Sequence, residues 1–275
     1  MEQGGFHGRA AGGGGQLCPS DDGRRQASRA DNAAADVFRR SLASRSRRTY
    51  ESSRFVEVPA ECDILRPRRS SLLVQSQRVL VLFAHPAVQK SRVNRRLFAA
   101  AQSVPGVTTL DLYQEYPDFQ IDVRSEQARL LEHDVIVFQH PFYWYSSPAL
   151  LKEWQDLVLE YGFAYGRNGT RLRGKALLNA ITTGGSEEAY ARTGHNYFTM
   201  RELLTPFEQT ARLCGMVYLP PFVVHGAIRM THTAEVERAA DDYARVLAGL
   251  RDGRVTTETA GSFDRLNADL TALGL

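Results

Sequence analysis

Arg78–Pro86 reads RVLVLFAHP, an apolar run of strand length that ends in a His-Pro turn. A strand exposed on one face alternates polar with apolar residues, whereas a strand buried on both faces reads continuously apolar. The run therefore predicts an inner strand of a parallel sheet with helices on both sides. Directly after it, Ser91 caps a helical pattern, SRVNRRLFAAAQSV, which stops near Pro105-Gly106 before a second strand, VTTLDLY, from Val107 to Tyr113. That is a βαβ unit.

The same alternation continues outward. A helix is expected near Ser125–His133, then a third apolar run, DVIVFQHP, the aromatic segment FYWYSSP and a helix from about Pro148 to Leu159. Lys175–Thr183 reads as the fourth strand, Met200–Cys214 as a helix, Val217–His225 as the fifth strand and Ala234–Leu250 as a closing helix. Five strands alternating with helices predict an α/β fold with a doubly wound five-stranded parallel sheet and right-handed crossovers. Arg251–Leu275 reads as a polar turn followed by a short amphipathic helix. The expected organisation is an extension over residues 1–76, a nucleotide-binding domain over residues 77–253 and a tail over residues 254–275.

Residues 1–76 are rich in Gly, Ala, Ser and Arg, with GGGG at Gly12–Gly15 and basic clusters at Arg24-Arg25 and Arg45–Arg48. Such a segment buries too little apolar surface to offset its ordering entropy, so disorder is expected, with a short helix near Ala33–Leu42. The formal charge of +3 is small for 275 residues, and much of the arginine lies in this extension, so nucleic acid is not indicated as a partner. Cys18, Cys62 and Cys214 lack CxxC spacing, which argues against a disulfide framework and against a metal site. No apolar run reaches the roughly 18 to 20 residues of a membrane helix. A cytoplasmic protein is expected.

In open α/β sheets ligands bind beyond the carboxyl ends of the strands. Three segments occupy such positions: Ala84–Asn94, His140–Pro148 and Thr182–Gly185. The first has neither GxGxxG nor the GK[ST] of a P-loop. What it offers is Ser91 at a helix start, where a hydroxyl, free amides and the positive dipole end suit a single phosphate. The aromatic neighbours Phe142–Tyr145 give a wall for a flat ring, and Gly184-Gly185 after Thr182-Thr183 lets the backbone approach it closely. One phosphate and one flat redox ring suit FMN better than a dinucleotide. His140 and His225 read as hydrogen-bonded structural histidines, Trp154 as core, and Tyr161–Gly174 as either a closing loop or a surface connection.

AHP, LYQEYPDFQID, QHPFYWYSSPALLKEW, AYGRNGTRLRGK, TTGG and LPPFVVHG together resemble the flavodoxin-like NAD(P)H:quinone oxidoreductases, most closely the ancillary proteins of glutathione-regulated potassium-efflux systems, the KefF/KefG type. The resemblance covers Arg78 to about Gly253. It implies a flavodoxin-like fold and FMN held by His85, Ser91, Arg92, Val93, Asn94, Phe142, Tyr143, Trp144, Tyr145, Thr182, Thr183, Gly184 and Gly185. Tyr143 stands where the family often carries Gln. Tyr190 and, after a shift of one residue, His195 resemble the catalytic pair that supports hydride transfer. The implied reaction is ping-pong transfer of two electrons from NADH or NADPH to a quinone or related electrophile. A homodimer is implied too, as is a second role as FMN-binding regulator of a membrane potassium-efflux transporter, with peripheral contact at the inner face of the cell membrane. An electron-transfer flavodoxin fits less well, because the chain is not strongly acidic.

Overall fold

The computed structural model describes residues 76–275. The helix expected near Ala33–Leu42, like the rest of the extension, lies outside the described residues.

β1 (Val79–Phe83) is buried at every position. It pairs in parallel with β2 (Val107–Asp111) on one side and β3 (Val135–Pro141) on the other, with Val79 opposite both Val107 and Val135. β4 (Ala176–Thr182) pairs with β3. The fifth place is shared by β5 (Val217–Tyr218) and β6 (Phe222–Val224), each parallel to β4, and the order is β2-β1-β3-β4-β5. The helices in chain order are α1 (Arg92–Ser103), α2 (Leu112–Glu115), α3 (Val123–Glu132), α4 (Ala149–Val158), α5 (Met200–Leu203), α6 (Thr205–Leu213), α7 (Thr233–Arg251) and α8 (Thr257–Ala260).

Successive strand residues point to opposite faces, and the core divides accordingly. Val79, Val81, Val135 and Val137 pack with Leu97 of α1 and with Tyr243 and Leu247 of α7. Leu80, Leu82, Ile136 and Phe138 pack with Leu130 of α3, Trp154 of α4 and Phe207 of α6. Each fully buried Leu or Val contributes roughly 1.5–3 kcal/mol, so the all-apolar reading of β1 follows from its having no solvated face. Glu126 of α3 is fully buried. Its carboxylate accepts from the Tyr116 hydroxyl (2.8 Å), Trp154 Nε1 (2.9 Å) and Arg129 Nε (3.2 Å), which ties the YPDF segment to α3 and α4.

Three elements differ from expectation, each for a local reason. The second strand ends at Asp111 rather than Tyr113, because the Asp111 carboxylate accepts from Tyr113 N (3.0 Å) and caps α2. The helix expected over Met200–Cys214 is broken at Leu204 into α5 and α6. Pro206 has no N–H to donate four residues back, and the Thr205 hydroxyl takes the freed Glu202 carbonyl instead (2.7 Å). The fifth strand is interrupted by Leu219-Pro220-Pro221, since two prolines cannot donate to a ladder. Downstream of α7 the chain does not leave the fold: Val255, Ala260, Leu266, Leu270 and Leu273 join the α1/α7 core. Among the described residues no helix is long and apolar enough to cross a membrane.

Candidate active site

The carboxyl ends of β1, β3, β4 and β6 converge on a cavity of about 560 Å³. His85, Ser91, Arg92, Val93, Asn94, Phe142, Tyr143, Trp144, Thr182, Thr183 and Gly184 line it. Tyr145 and Gly185 stand outside the lining. Ala87, Lys90, Pro141, Ala227 and Ile228 belong to it and were missed in the sequence. Ala87 and Lys90 sit inside the first chosen segment, and Pro141 inside the second. Ala227 and Ile228 follow β6, a strand end that the same topological rule would have selected.

One end of the cavity is built for an anion. Ser91 is the N-cap of α1, and its Oγ accepts from Asn94 N (3.2 Å). The first-turn amides of a helix have no intrahelical acceptor, and the dipole there favours negative charge. Lys90 and Arg92 line the same end. Asn94, only 3% exposed, donates from Nδ2 to Thr182 Oγ1 (2.8 Å) and Ser91 Oγ (3.2 Å), so the loop after β1 is locked to the end of β4. Gln139 Nε2 donates to the Asn94 carbonyl (3.2 Å). Asn94 Oδ1 is buried with no protein partner. A buried acceptor without a donor is costly, and a ligand hydroxyl would satisfy it. Ala87 N–H donates to His85 Nδ1 (3.1 Å), which leaves the proton on Nε2 as a donor. Burial holds the His85 imidazole below its ordinary range, so the ring is neutral near pH 7.

The other end is aromatic. Phe142 N–H donates to the Thr182 carbonyl (2.8 Å) and Ser146 N–H to Tyr143 (2.9 Å), which closes a tight turn over Phe142–Ser146. At its apex Trp144 and Tyr145 adopt φ of 50° and 60°, a left-handed conformation that costs side chains of this size of the order of 1 kcal/mol or more. Trp144 is 95% exposed. The His85 ring meets Tyr143 edge-on at 6.0 Å.

Beside the cavity lies the loop after β4. Thr183 Oγ1 donates to the Gly185 carbonyl (2.9 Å) and lies 3.3 Å from His225 Nδ1, so the imidazole N–H donates to the threonine. Tyr190 packs 5.5 Å from the His225 ring and 6.4 Å from Phe142. Burial raises the Tyr190 phenol above its usual range and keeps it a neutral donor. His225 is held below its ordinary range, first by burial and then by Arg265. His195 is exposed, and it is absent from the cavity lining. The imidazole beside Tyr190 is that of His225. His140 is fully buried; its Nδ1–H donates to the Pro141 carbonyl (3.0 Å) and its Nε2 accepts from Asn179 Nδ2 (3.1 Å), a structural arrangement. In the Tyr161–Gly174 loop, Gly162 N–H donates to Tyr165 (2.8 Å) and Arg171 N–H to Phe163 (3.2 Å), while Tyr161 is exposed.

Residues 77–247 match the family of flavodoxin-like fold, and the chain belongs to that family. It is 52% identical over 156 residues to the glutathione-regulated potassium-efflux system ancillary protein KefG of Pectobacterium carotovorum, covering 57% of this chain and 85% of that one. Among solved structures, general stress protein 14 of Treponema denticola in complex with FMN superposes with a TM-score of 0.59 at 39% identity, over 63% of this chain and 99% of that one. An NADPH-quinone reductase from P. pentosaceus superposes with a TM-score of 0.55 at 32% identity, over 62% and 96% of the two chains.

Proposed function

We propose that the chain is an FMN-dependent NAD(P)H:quinone oxidoreductase. The observation that carries this reading is one cavity with two chemistries: an anion cradle at the start of α1, with the unpartnered Asn94 Oδ1 beside it, and an aromatic and glycine-edged slot at the ends of β3 and β4. The donor set fits FMN. Ser91, the α1 amides, Lys90 and Arg92 would hold the phosphate, His85 and Asn94 the polyol, and Phe142–Tyr145 with Thr182–Gly185 the ring system. When bound, FMN supplies two-electron chemistry, taking a hydride from NADH or NADPH and passing it to a quinone or related electrophile in ping-pong order. The resemblance nominates Tyr190 and His195 as the catalytic pair. Tyr190 lies outside the cavity lining and packs against Phe142 at its margin, from where its neutral hydroxyl would donate a proton toward a bound acceptor; His195 is exposed and also outside the lining. Neutral His85 donates a hydrogen bond from Nε2 without adding charge.

Support for FMN and a quinone acceptor comes also from the FMN complex and the quinone reductase to which the chain is similar. The exposed Trp144, Tyr161, Tyr197 and Phe198 fit a second copy closing over the slot in a homodimer. The absorption spectrum tests the reading. Purified chain mixed with FMN should show a protein-bound flavin band that bleaches with NADH or NADPH and returns with quinone; a preparation that binds no FMN sinks it. Similarity to KefG favours a second reading, a regulatory subunit of a potassium-efflux transporter at the inner face of the cell membrane. FMN-loaded protein that is inert toward NAD(P)H, yet raises flux through a co-reconstituted transporter, would select that reading.

A further inference from the structure

The family match ends at residue 247, but the described fold runs on to Leu275. What those last residues touch is specific. Leu266 N–H donates to the Pro221 carbonyl (2.8 Å). Asn267 accepts Val223 N–H at Oδ1 (3.0 Å) and donates from Nδ2 to the Val223 carbonyl (2.8 Å). One side chain thereby satisfies both backbone groups of a residue on β6, a strand of three residues. An edge left open would be a site for stray pairing, and this segment covers it. At the far end Leu275 lies against Gly249 of α7, where an added Cβ would come within 2.4 Å of Leu275 Cδ2.

β6 is also what the loop after β4 hangs from. Thr183 N–H donates to the Val224 carbonyl (2.9 Å), Ala227 N–H to Thr183 (2.8 Å) and Gly226 N–H to Gly185 (2.8 Å). A second connection bypasses the backbone: Arg265 forms an ion pair with Glu187, the first residue of the short helical turn Glu187–Tyr190. Arg265, Asp264, Glu187, Tyr190 and His225 together wall a separate cavity of about 370 Å³ behind that turn.

We propose that the carboxyl-terminal segment, residues 254–275, is a working part of the active site, with Arg265 as a positioning residue that holds the Tyr190-bearing turn and so governs how the acceptor is received. The inference rests on the oxidoreductase reading above. A stabilising plug would need only the buried Ala260, Leu266, Leu270 and Leu273. The Arg265–Glu187 pair adds little to that, because Glu187 keeps 56% of its side chain exposed and a solvated ion pair is worth well under the packing terms. What the pair does change is where the turn sits relative to the carboxyl-terminal segment, which Asn267 in turn fixes to β6. Arg265 touches neither the cofactor cavity nor the reacting atoms; it acts through Glu187.

The test uses the full chain with Arg265→Gln, Arg265→Lys, Glu187→Gln and the Arg265→Gln/Glu187→Gln double variant. For Arg265→Gln the expected outcome is unchanged melting temperature and FMN content, KM for 1,4-benzoquinone raised about fivefold, and kcat changed less than about twofold. Lysine should restore most of the loss, and the double variant should be no worse than either single one, because both remove the same link. Hydrogen exchange of the Ala189 amide, which donates to the Ser186 carbonyl, should quicken about threefold in Arg265→Gln, whether or not the protein turns over a quinone. If the wild-type chain reduces no quinone, the oxidoreductase reading fails and exchange alone decides. Unchanged exchange with unchanged KM overturns the proposal; so does a fall in melting temperature and FMN content with KM preserved, which would make the segment a plug only.

Discussion

The two ends of the cavity are built in opposite ways. At the α1 end, Asn94 is buried and bonded to Ser91 and Thr182, Gln139 reinforces it from below, and no residue of the loop after β1 has a positive φ. At the β3 end, Trp144 is almost fully exposed, and two successive aromatic residues sit in the left-handed region. The contrast follows from what each end would bind. A phosphate needs fixed donors in place beforehand, because reorganising dipoles around a charge is costly. A flat ring needs surface, and surface can be completed on binding, by the ligand or by a second copy of the chain. The first end is finished within one chain; the second is left open.

Four experiments would break or sharpen that contrast. The largest effect is expected beneath the aromatic end, at His140, whose burial drives the imidazole down to about 4. Its folded value lies below the ordinary 6.5, so the unfolded chain takes up a proton first as pH falls. Stability from this group is complete above about pH 6.5 and declines toward pH 4, by about 3 kcal/mol in all. Urea midpoints at pH 7.5 and 4.5 should converge in His140→Asn relative to wild type; an unaltered pH slope would show that other groups carry the titration.

Next in size is Asn94→Ala. It removes two donated bonds and the free acceptor at the rigid end, so FMN affinity should weaken about 30-fold, or ~2 kcal/mol, in a fluorescence-quenching titration. Little change would mean that the cradle does not depend on this lock. Trp144→Ala is expected to alter FMN affinity only about threefold, while shifting the monomer–dimer equilibrium toward monomer by about tenfold in sedimentation equilibrium. A large loss of FMN with intact dimers would reverse the assignment of the two ends. Smallest is Gly184→Ala. An added Cβ would meet Ile228 Cδ1 at 2.8 Å, the far end of a flexible side chain that can swing away, so stability should fall by no more than about 0.5 kcal/mol. Thermal melting checks it, and a larger fall would show that Ile228 cannot give way.

Much of this was legible before any coordinates. The βαβ order could be read because strands buried on both faces are continuously apolar, and because Ser91 marks a helix start in its local sequence. Most of the cavity-lining residues could be read because they follow strands directly. Where local patterning misled, a cap and two prolyl breaks were responsible: the Asp111 carboxylate turns the end of β2 into a helix start, Pro206 breaks a helix whose apolar period runs straight through it, and Pro220-Pro221 break a strand. The histidine beside Tyr190 was not legible at all. His195 is near in sequence but exposed, whereas His225 arrives from β6, some 35 residues away, through a register that only the sheet sets.

The sequence alone determined the alternation of strands with helices, the burial of the inner strands on both faces and the Ser91-capped start of α1, because these depend on periodicity and capping within a few residues. The tertiary structure alone decided which imidazole meets Tyr190, the sharing of the fifth strand position, and the docking of residues 254–275 onto β6. Those depend on long-range pairing, where Asn267 finds Val223 and Arg265 finds Glu187 across the fold, and no local pattern encodes which distant group a side chain will meet.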